Sequence, residues 1–264
     1  MEINLLGPLY LAQGREHHTM ASKRAGVVLT LLALSPGTPV VFDQIVDELW
    51  AGRSMANARN ALQANVGRLR KFLKAVTGLD GDRLIRTVGS GYVLDVPHDV
   101  VDAHRFAALA DTGAALVDRD PVEAVVTLES ALSLWRGPAL LDTCDGLRCR
   151  VHATHLEERR ITAYEDLTAA KLRVPGERVS LTEIRQLAAE HPGRERLSEL
   201  LMFALYRDGR QAEALEIFHG ARRRLADDLG LEPGRGLHRA YQAILMQDDE
   251  LGEPRRVLLH AGRS

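Results

Sequence analysis

Between Glu48 and Asp80 the chain has no acidic residue, yet Arg53, Arg59, Arg68, Arg70, Lys71 and Lys74 all fall in that interval. Asn57, Asn60 and Gln63 are interleaved with them. Two chemistries of nucleic-acid recognition are thereby combined: Lys and Arg neutralise phosphate, whereas Asn, Gln and Arg make paired hydrogen bonds to base edges. A second reactive group, Cys144, Cys149, His152 and His155, consists of thiols and imidazoles of the kind zinc accepts. Its C-x4-C-x2-H-x2-H spacing matches no common zinc module, and convergence requires a sharp turn at Gly146. The expectation is therefore no metal, with these four as polar surface residues ahead of a helix containing Leu156. The spacings GxxxxGK followed by Ser or Thr, GxSxG and HExxH are absent, so neither enzyme chemistry nor a bound cofactor is expected.

Charge supports the first group. The net charge of the 264-residue chain is only -2, but residues 1–97 carry 11 Lys and Arg against 8 Asp and Glu, while the remainder carries 23 against 28. The cationic excess sits in the first part. A hydrophobic content of 45% with 27% charged residues is ordinary globular composition, and the length suits two domains. No apolar run approaches the roughly 18 residues of a membrane span, and two cysteines do not make a disulfide framework. A cytoplasmic protein with no membrane association is expected.

The cationic run must be held by local structure. Ile3–Leu6 and Leu9–Ala12 read as short strands divided by Gly7-Pro8, with a third strand near His17–Met20. Val27, Val28, Leu31, Leu32 and Leu34 follow Ser22 at helical spacing, and Ser35-Pro36-Gly37 stops that helix. A second helix begins with Asp43 as N-cap, turns Ile45, Val46, Leu49 and Trp50 inward and ends near Ala51-Gly52. The third helix, Asn57–Ala75, places Leu62, Val66, Leu69 and Leu73 in one apolar stripe. Leu84–Val88 and Tyr92–Val96 flank Gly89-Ser90-Gly91 as a hairpin. Three helices, a hairpin and a small leading sheet are the order of a winged helix-turn-helix, with a boundary at Pro97-His98.

From Asp102 onward the pattern is helical. Asp120-Pro121-Val122-Glu123 and Ser180-Leu181-Thr182-Glu183 are helix starts, each pairing a capping side chain with Glu three residues later. Glu123, Ala124, Leu128 and Ala131 repeat as Glu213, Ala214, Phe218 and Ala221, and Tyr206 with Gly209 completes a tetratricopeptide-like helix pair. The fold expected is mainly α: a winged helix over residues 1–97, an all-α tetratricopeptide-like domain over 98–251 and a tail over 252–264.

Opposite the apolar stripe of the third helix lie Asn57, Asn60, Ala64, Gly67, Arg68 and Lys71, with Gln63 and Arg70 flanking. Small Ala64 and Gly67 let a helix sit deep in a major groove, where Asn60, Gln63 and Arg68 reach bases. Arg70, Lys71 and Lys74 are assigned to phosphate. The hairpin adds Arg86, Thr87, Ser90 and Tyr92 as candidates for backbone or minor-groove contact, Tyr92 being equally readable as a packing residue at the base of the wing.

These segments resemble the Streptomyces antibiotic regulatory protein family, in its short form without an ATPase module. The resemblance rests on Asn60-Ala61-Leu62-Gln63, Val66-Gly67-Arg68-Leu69-Arg70-Lys71, Gly91-Tyr92, Val101-Asp102-Ala103-His104-Arg105-Phe106 and Ala131-Leu132-Ser133-Leu134-Trp135-Arg136-Gly137-Pro138. Further along it rests on Glu190-His191-Pro192-Gly193-Arg194, Ala204-Leu205-Tyr206-Arg207-Asp208-Gly209-Arg210-Gln211-Ala212-Glu213-Ala214-Leu215 and Leu229-Gly230-Leu231-Glu232-Pro233-Gly234. It implies an OmpR-type winged helix joined to a bacterial transcriptional activation domain, with no receiver domain. It further implies an activator of biosynthetic promoters that binds tandem direct repeats of double-stranded DNA as a homodimer and recruits RNA polymerase holoenzyme at the nucleoid. Two departures stand out: Gly89 occupies a wing position where relatives often carry arginine, and Gly67 replaces larger or charged residues.

Three other readings compete. An enzyme lacks a motif; a metal- or ligand-responsive regulator draws on the Cys and His cluster; a helical peptide-binding scaffold without DNA binding draws on the tetratricopeptide-like groove, which Trp135 and Tyr206 would line.

Overall fold

The computed structural model describes residues 1–50 and 57–247; the end of the second helix at Ala51-Gly52, Arg53 and the tail lie outside the described residues. The chain forms two compact units, Met1–Leu109 with Ser130–Arg160, and Ala110–Glu129 with the chain from Ile161 onward.

The first unit opens with an antiparallel sheet of β1 (Glu2–Asn4), β2 (Tyr10–Gln13) and β3 (Glu16–His18), in that order. Ile3 faces Leu11, and both are buried. Helix α1 (Lys23–Ala33) starts at Ser22, whose hydroxyl accepts from the Ala25 amide. Every residue from Ala25 to Ala33 is buried, because α1 is surrounded, whereas its sequence showed only one apolar stripe. Thr30 tolerates this position by bonding to the Thr143 hydroxyl at 3.2 Å.

Strand β4 (Val40–Val41) leads into α2 (Phe42–Trp50), followed by α3 (Ala58–Thr77), the single turn α4 (Gly81–Leu84), β5 (Ile85–Val88) and β6 (Gly91–Leu94). Asp43 lies inside the first turn of α2 instead of capping it. Val46 and Leu49 are half-buried and Glu48 is buried in their stead. The wing is a three-stranded sheet of order β4-β6-β5; two-residue β4 was too short to register as a strand in the sequence. Gly91 is required there, since a Cβ would stand 2.4 Å from the Val40 carbonyl oxygen.

The same unit contains the start of α5 (Asp102–Leu116), the end of α6 (Pro121–Ser133) and the N-terminal half of α7 (Leu147–Arg173). Asp102, 1% exposed, joins them to the leading sheet. Its carboxylate accepts from the amides of Leu5 at 2.7 Å and Leu6 at 3.1 Å and from Arg136 Nη2 at 2.7 Å. Burial pushes this carboxyl above the ordinary range, with the two amides and Arg136 pulling it back down. Phe106 meets Trp135 edge-on at 5.2 Å, and the Arg160 guanidinium lies over the Trp135 ring at 4.6 Å. His104 Nε2 donates to the Ala33 carbonyl at 3.1 Å.

In the second unit α8 (Leu181–Glu190), α9 (Glu195–Arg207), α10 (Gln211–Leu229) and α11 (Arg235–Leu245) pack with the remaining parts of α5, α6 and α7. Ser180 and Asp120 cap as their sequences indicate, accepting from the amides of Glu183 and Glu123. The α9–α10 corner turns at Gly209, whose φ of 77° suits glycine. Ala214, Phe218 and Ala221 are buried, and Phe218 stacks on Tyr241 of α11 at 4.1 Å. The parallel set Ala124, Leu128 and Ala131 is buried too. Leu128 fills the space over Gly113, where a Cβ would meet its Cγ at 2.5 Å.

Two outcomes follow. Asp102→Ala strands two buried amides and Arg136, and should lower unfolding free energy by about 3 to 5 kcal/mol, with Asp102→Asn costing less because it keeps an acceptor; urea titration measures both. Burial also lowers the pKa of His104 below its usual value. The unfolded chain then takes up a proton that the folded chain refuses, so stability falls as pH drops through about 6.5. His104→Gln should flatten the stability slope between about pH 7 and pH 5; an equal slope in both proteins would remove His104 from the account.

Candidate nucleic-acid interface

Helix α3 is positioned by its stripe: Leu62, Val66, Leu69 and Leu73 are 2% exposed or less. Burying four such side chains fixes the rotation of the helix, because turning it would return them to water. Its end is sealed by Gly78 at φ 73°, whose amide donates to the Lys74 carbonyl.

The opposite side presents Asn60, Gln63, Ala64, Arg68, Lys71 and Lys74 as exposed residues, with Gly67 half-exposed. A Cβ built on Gly67 meets nothing within 4 Å, so this side of the helix is open. Arg68 is directed by its neighbour: its Nη1 donates to Asn65 Oδ1 at 3.3 Å, and Asn65 Nδ2 donates to the Ala61 carbonyl at 2.8 Å. Asn65 is 3% exposed and had no place in the sequence reading. A single buried Asn within an apolar stripe is the signal that would have found it, since a buried amide demands partners.

Arg70 stands apart from Arg68. Its Nε and Nη2 donate to the Ile85 carbonyl at 3.1 and 2.7 Å, Nη2 also reaches Thr87 Oγ1 at 3.1 Å, and Nη1 pairs with Asp82 at 2.8 Å. This guanidinium ties α3 to α4 and the wing strand β5. Backbone approach is equally close, since a Cβ on Gly81 would lie 2.3 Å from the Arg70 carbonyl oxygen.

In the wing, Thr87 and Ser90 are exposed, and Arg86 Nε pairs with Asp95 at 2.8 Å. The Ser90 carbonyl accepts from the Phe42 amide at 2.8 Å, fixing the wing tip to the start of α2. Tyr92 is 8% exposed and lies opposite Val40 and Thr87, inside the sheet. Gly89, at φ 55°, makes the turn. One further cation joins the surface: Arg59 lies over the Phe42 ring at 4.9 Å.

The thiol and imidazole group is arranged differently. Cys149 is buried in the first turn of α7, and its amide donates to Glu48 Oε1 at 2.9 Å, next to Arg148, whose amide donates to Glu48 Oε2 at 2.8 Å. Burial and the Glu48 carboxylate push the Cys149 thiol far above its usual range, away from the thiolate a metal requires. Cys144 is half-buried, and His152 and His155 are exposed. Among the described residues no group of three or more His, Cys, Asp or Glu is arranged to hold a metal ion. Of the aromatic residues assigned to a groove, Trp135 is 9% exposed and Tyr206 half-buried. No helix of the described residues is long and apolar enough to cross a membrane.

A winged helix with an open polar and cationic helix face, followed by a tetratricopeptide-like helical module, defines a transcriptional regulator of winged-helix class. Residues 17–94 match the family model of the transcriptional regulatory protein C-terminal domain, and residues 101–245 match the bacterial transcriptional activator domain. The chain is similar to the transcriptional regulator RedD of Streptomyces coelicolor, 45% identical over 96% of this chain and 73% of RedD. It is also similar to the regulatory protein DnrI of Streptomyces peucetius, 34% identical over 94% of this chain and 93% of DnrI. The solved structure of Mycobacterium tuberculosis EmbR in complex with a low-affinity phosphopeptide superimposes with a TM-score of 0.89 and 29% identity, covering 98% of this chain and 69% of EmbR. The chain belongs to the Streptomyces antibiotic regulatory protein family.

The two arginines of α3 separate experimentally. Arg70→Met leaves the Ile85 carbonyl and Asp82 without their donor and should cost about 1 to 3 kcal/mol, with faster amide exchange in β5 and β6. Lys71→Met, on the open face, should change neither.

Proposed function

We propose that this regulator is a sequence-specific activator that inserts the open face of α3 into the major groove of double-stranded DNA. The observation that carries the reading is the exposure of Asn60, Gln63, Ala64, Arg68, Lys71 and Lys74 on the side opposite the buried stripe. In this reading Asn60, Gln63 and Arg68 contact base edges, with Asn65 orienting Arg68, while Lys71 and Lys74 neutralise phosphate. Gly67 and Ala64 allow close approach of the helix backbone. Thr87 and Ser90 touch the sugar-phosphate backbone from the wing; Arg86 does so by leaving Asp95. Arg70 and Tyr92 support the interface from within, Arg70 by holding the wing and Tyr92 by packing at its base.

Residues 1–97 are the DNA-binding domain and 98–251 the activation domain, which contacts RNA polymerase holoenzyme. Two copies occupy tandem direct repeats upstream of the genes of a biosynthetic cluster. The protein works in the cytoplasm at the nucleoid and catalyses no reaction. Membership of a family of transcriptional regulators supports this reading, and the excess of basic residues in the first 97 agrees with it.

Footprinting on the promoters beside its own gene identifies the site, after which binding of variants is measured across base substitutions. Arg68→Ala should cost about 1 to 3 kcal/mol and relax preference at one position, whereas Lys74→Ala should weaken all sequences alike and reduce the salt dependence. Gly67→Leu adds a side chain into open space, so folding stability should hold while affinity drops by at least about tenfold, or about 1.4 kcal/mol. Unchanged binding in all three variants would rule out this face.

A further inference from the structure

Within the second unit, α5, α7, α9 and α11 enclose a cleft of about 450 Å³, a volume within the range of small-molecule sites. Its wall carries three carboxylates and three guanidiniums: Asp118, Asp166, Glu199, Arg173, Arg196 and Arg239. Arg173 pairs with Asp118 at 2.6 Å, Arg196 pairs with Asp166 at 2.9 Å, and Glu199 lies in the field of both Arg196 and Arg239.

Fold stability is a poor account of this arrangement. Each pair has one exposed partner, Asp118 or Arg196, and ion pairs open to water add little to stability, whereas these helices elsewhere bury Ala, Leu and Phe. Small Ala114 and Ala169 line the space, and the Glu199 carboxylate packs against Gly236, where a Cβ would stand 2.8 Å from its Oε2. Burial raises the Asp166 and Glu199 carboxyls above their usual values, against the pull of Arg196 and Arg239.

The lining selects the ligand by charge. An apolar molecule would strip water from six charged groups. A purely anionic or purely cationic one would meet a like charge beside every opposite one. A compact molecule with both signs a few bonds apart satisfies both rows.

We propose that this cleft binds a free α-amino acid that inserts into the Arg196–Asp166 pair, its ammonium held by Glu199 and Asp166 and its carboxylate by Arg196 and Arg239. The guanidinium fork suits a carboxylate, and Gly236, lacking a side chain, lets the Glu199 carboxylate lie at the cleft wall. This is a ligand site for a regulator, independent of which surface reads DNA.

The test uses the full chain, titrated with each standard α-amino acid by calorimetry and thermal shift. At least one should bind saturably and raise Tm. Its N-acetyl and carboxamide derivatives, each lacking one charge, should bind at least about tenfold more weakly. Ala114→Leu fills the mouth of the cleft without removing a charge, and Glu199→Gln removes one ammonium partner; each should weaken binding by about tenfold or more. Circular dichroism confirms folding, and if Glu199→Gln does not fold, Ala114→Leu decides. Absence of binding at millimolar concentration, full binding of the N-acetyl derivative, or indifference to a folded variant would overturn the proposal.

Discussion

The carboxylate of Asp102 resolves a problem created at the start of the chain. Residues Leu5, Leu6 and Leu9 leave the β1–β2 pairing and are buried, yet their backbone groups still require partners. Asp102 accepts from the Leu5 and Leu6 amides, and Asp142 accepts from Leu9 at 3.1 Å. The Leu6 and Leu5 carbonyls receive the amides of Arg136 and Leu140 at 2.8 and 2.9 Å. Five backbone groups of this loop are thus satisfied by partners roughly a hundred positions or more away in sequence. Arg136 both donates to Asp102 and lies 4.7 Å from the Tyr10 ring, so one cation serves the loop, the carboxylate and the sheet. Without this exchange the leading sheet and the start of α5 would have buried polar backbone facing buried polar backbone.

A second carboxylate acts in the same way on the other side of the unit. Glu48, on the helix that precedes α3, is 5% exposed and accepts the first free amides of α7. It supplies from a distance what an N-cap side chain usually supplies locally. Gly146 is the complement, because a Cβ there would stand 2.1 Å from the Glu48 carboxyl carbon. Helix α2 is therefore held on α7 by an acid whose helix-dipole partner is fixed, and α3 inherits that firm base through its packing on α1 and α2.

Charge is used in three ways. At Asp102 and Glu48 it is buried and engaged by backbone amides, joined at Asp102 by Arg136, which makes it structural. On α3 the cations Lys71 and Lys74 stand in water, where their cost is small and their field reaches outward. In the cleft between α5, α7, α9 and α11 acids and bases oppose one another around open space. Arg68 and Arg70 show how little residue type alone determines such roles. They lie two residues apart, about 200° around the helix, so one points outward beside Asn65 and the other returns to the Ile85 carbonyl.

Much was legible in the sequence because it rests on local rules. Ser22, Asp120 and Ser180 cap the helical patterns that follow them, although Asp43 does not; Gly89 and Gly91 mark a hairpin; the Leu62, Val66, Leu69 and Leu73 stripe sets which side of α3 is inward, and with it the exposed set around Gln63 and Arg68. Periodicity determined those features without any knowledge of neighbours. Tertiary structure alone decided that Glu48 is buried while Val46 and Leu49 are only partly so, that Val40 and Val41 join the wing, that α1 is enclosed from Ala25 to Ala33, and that Arg70 is occupied by β5. Each of these depends on a partner distant in sequence that supplies a hydrogen bond or removes water, and no pattern within one helix or strand records where that partner will be.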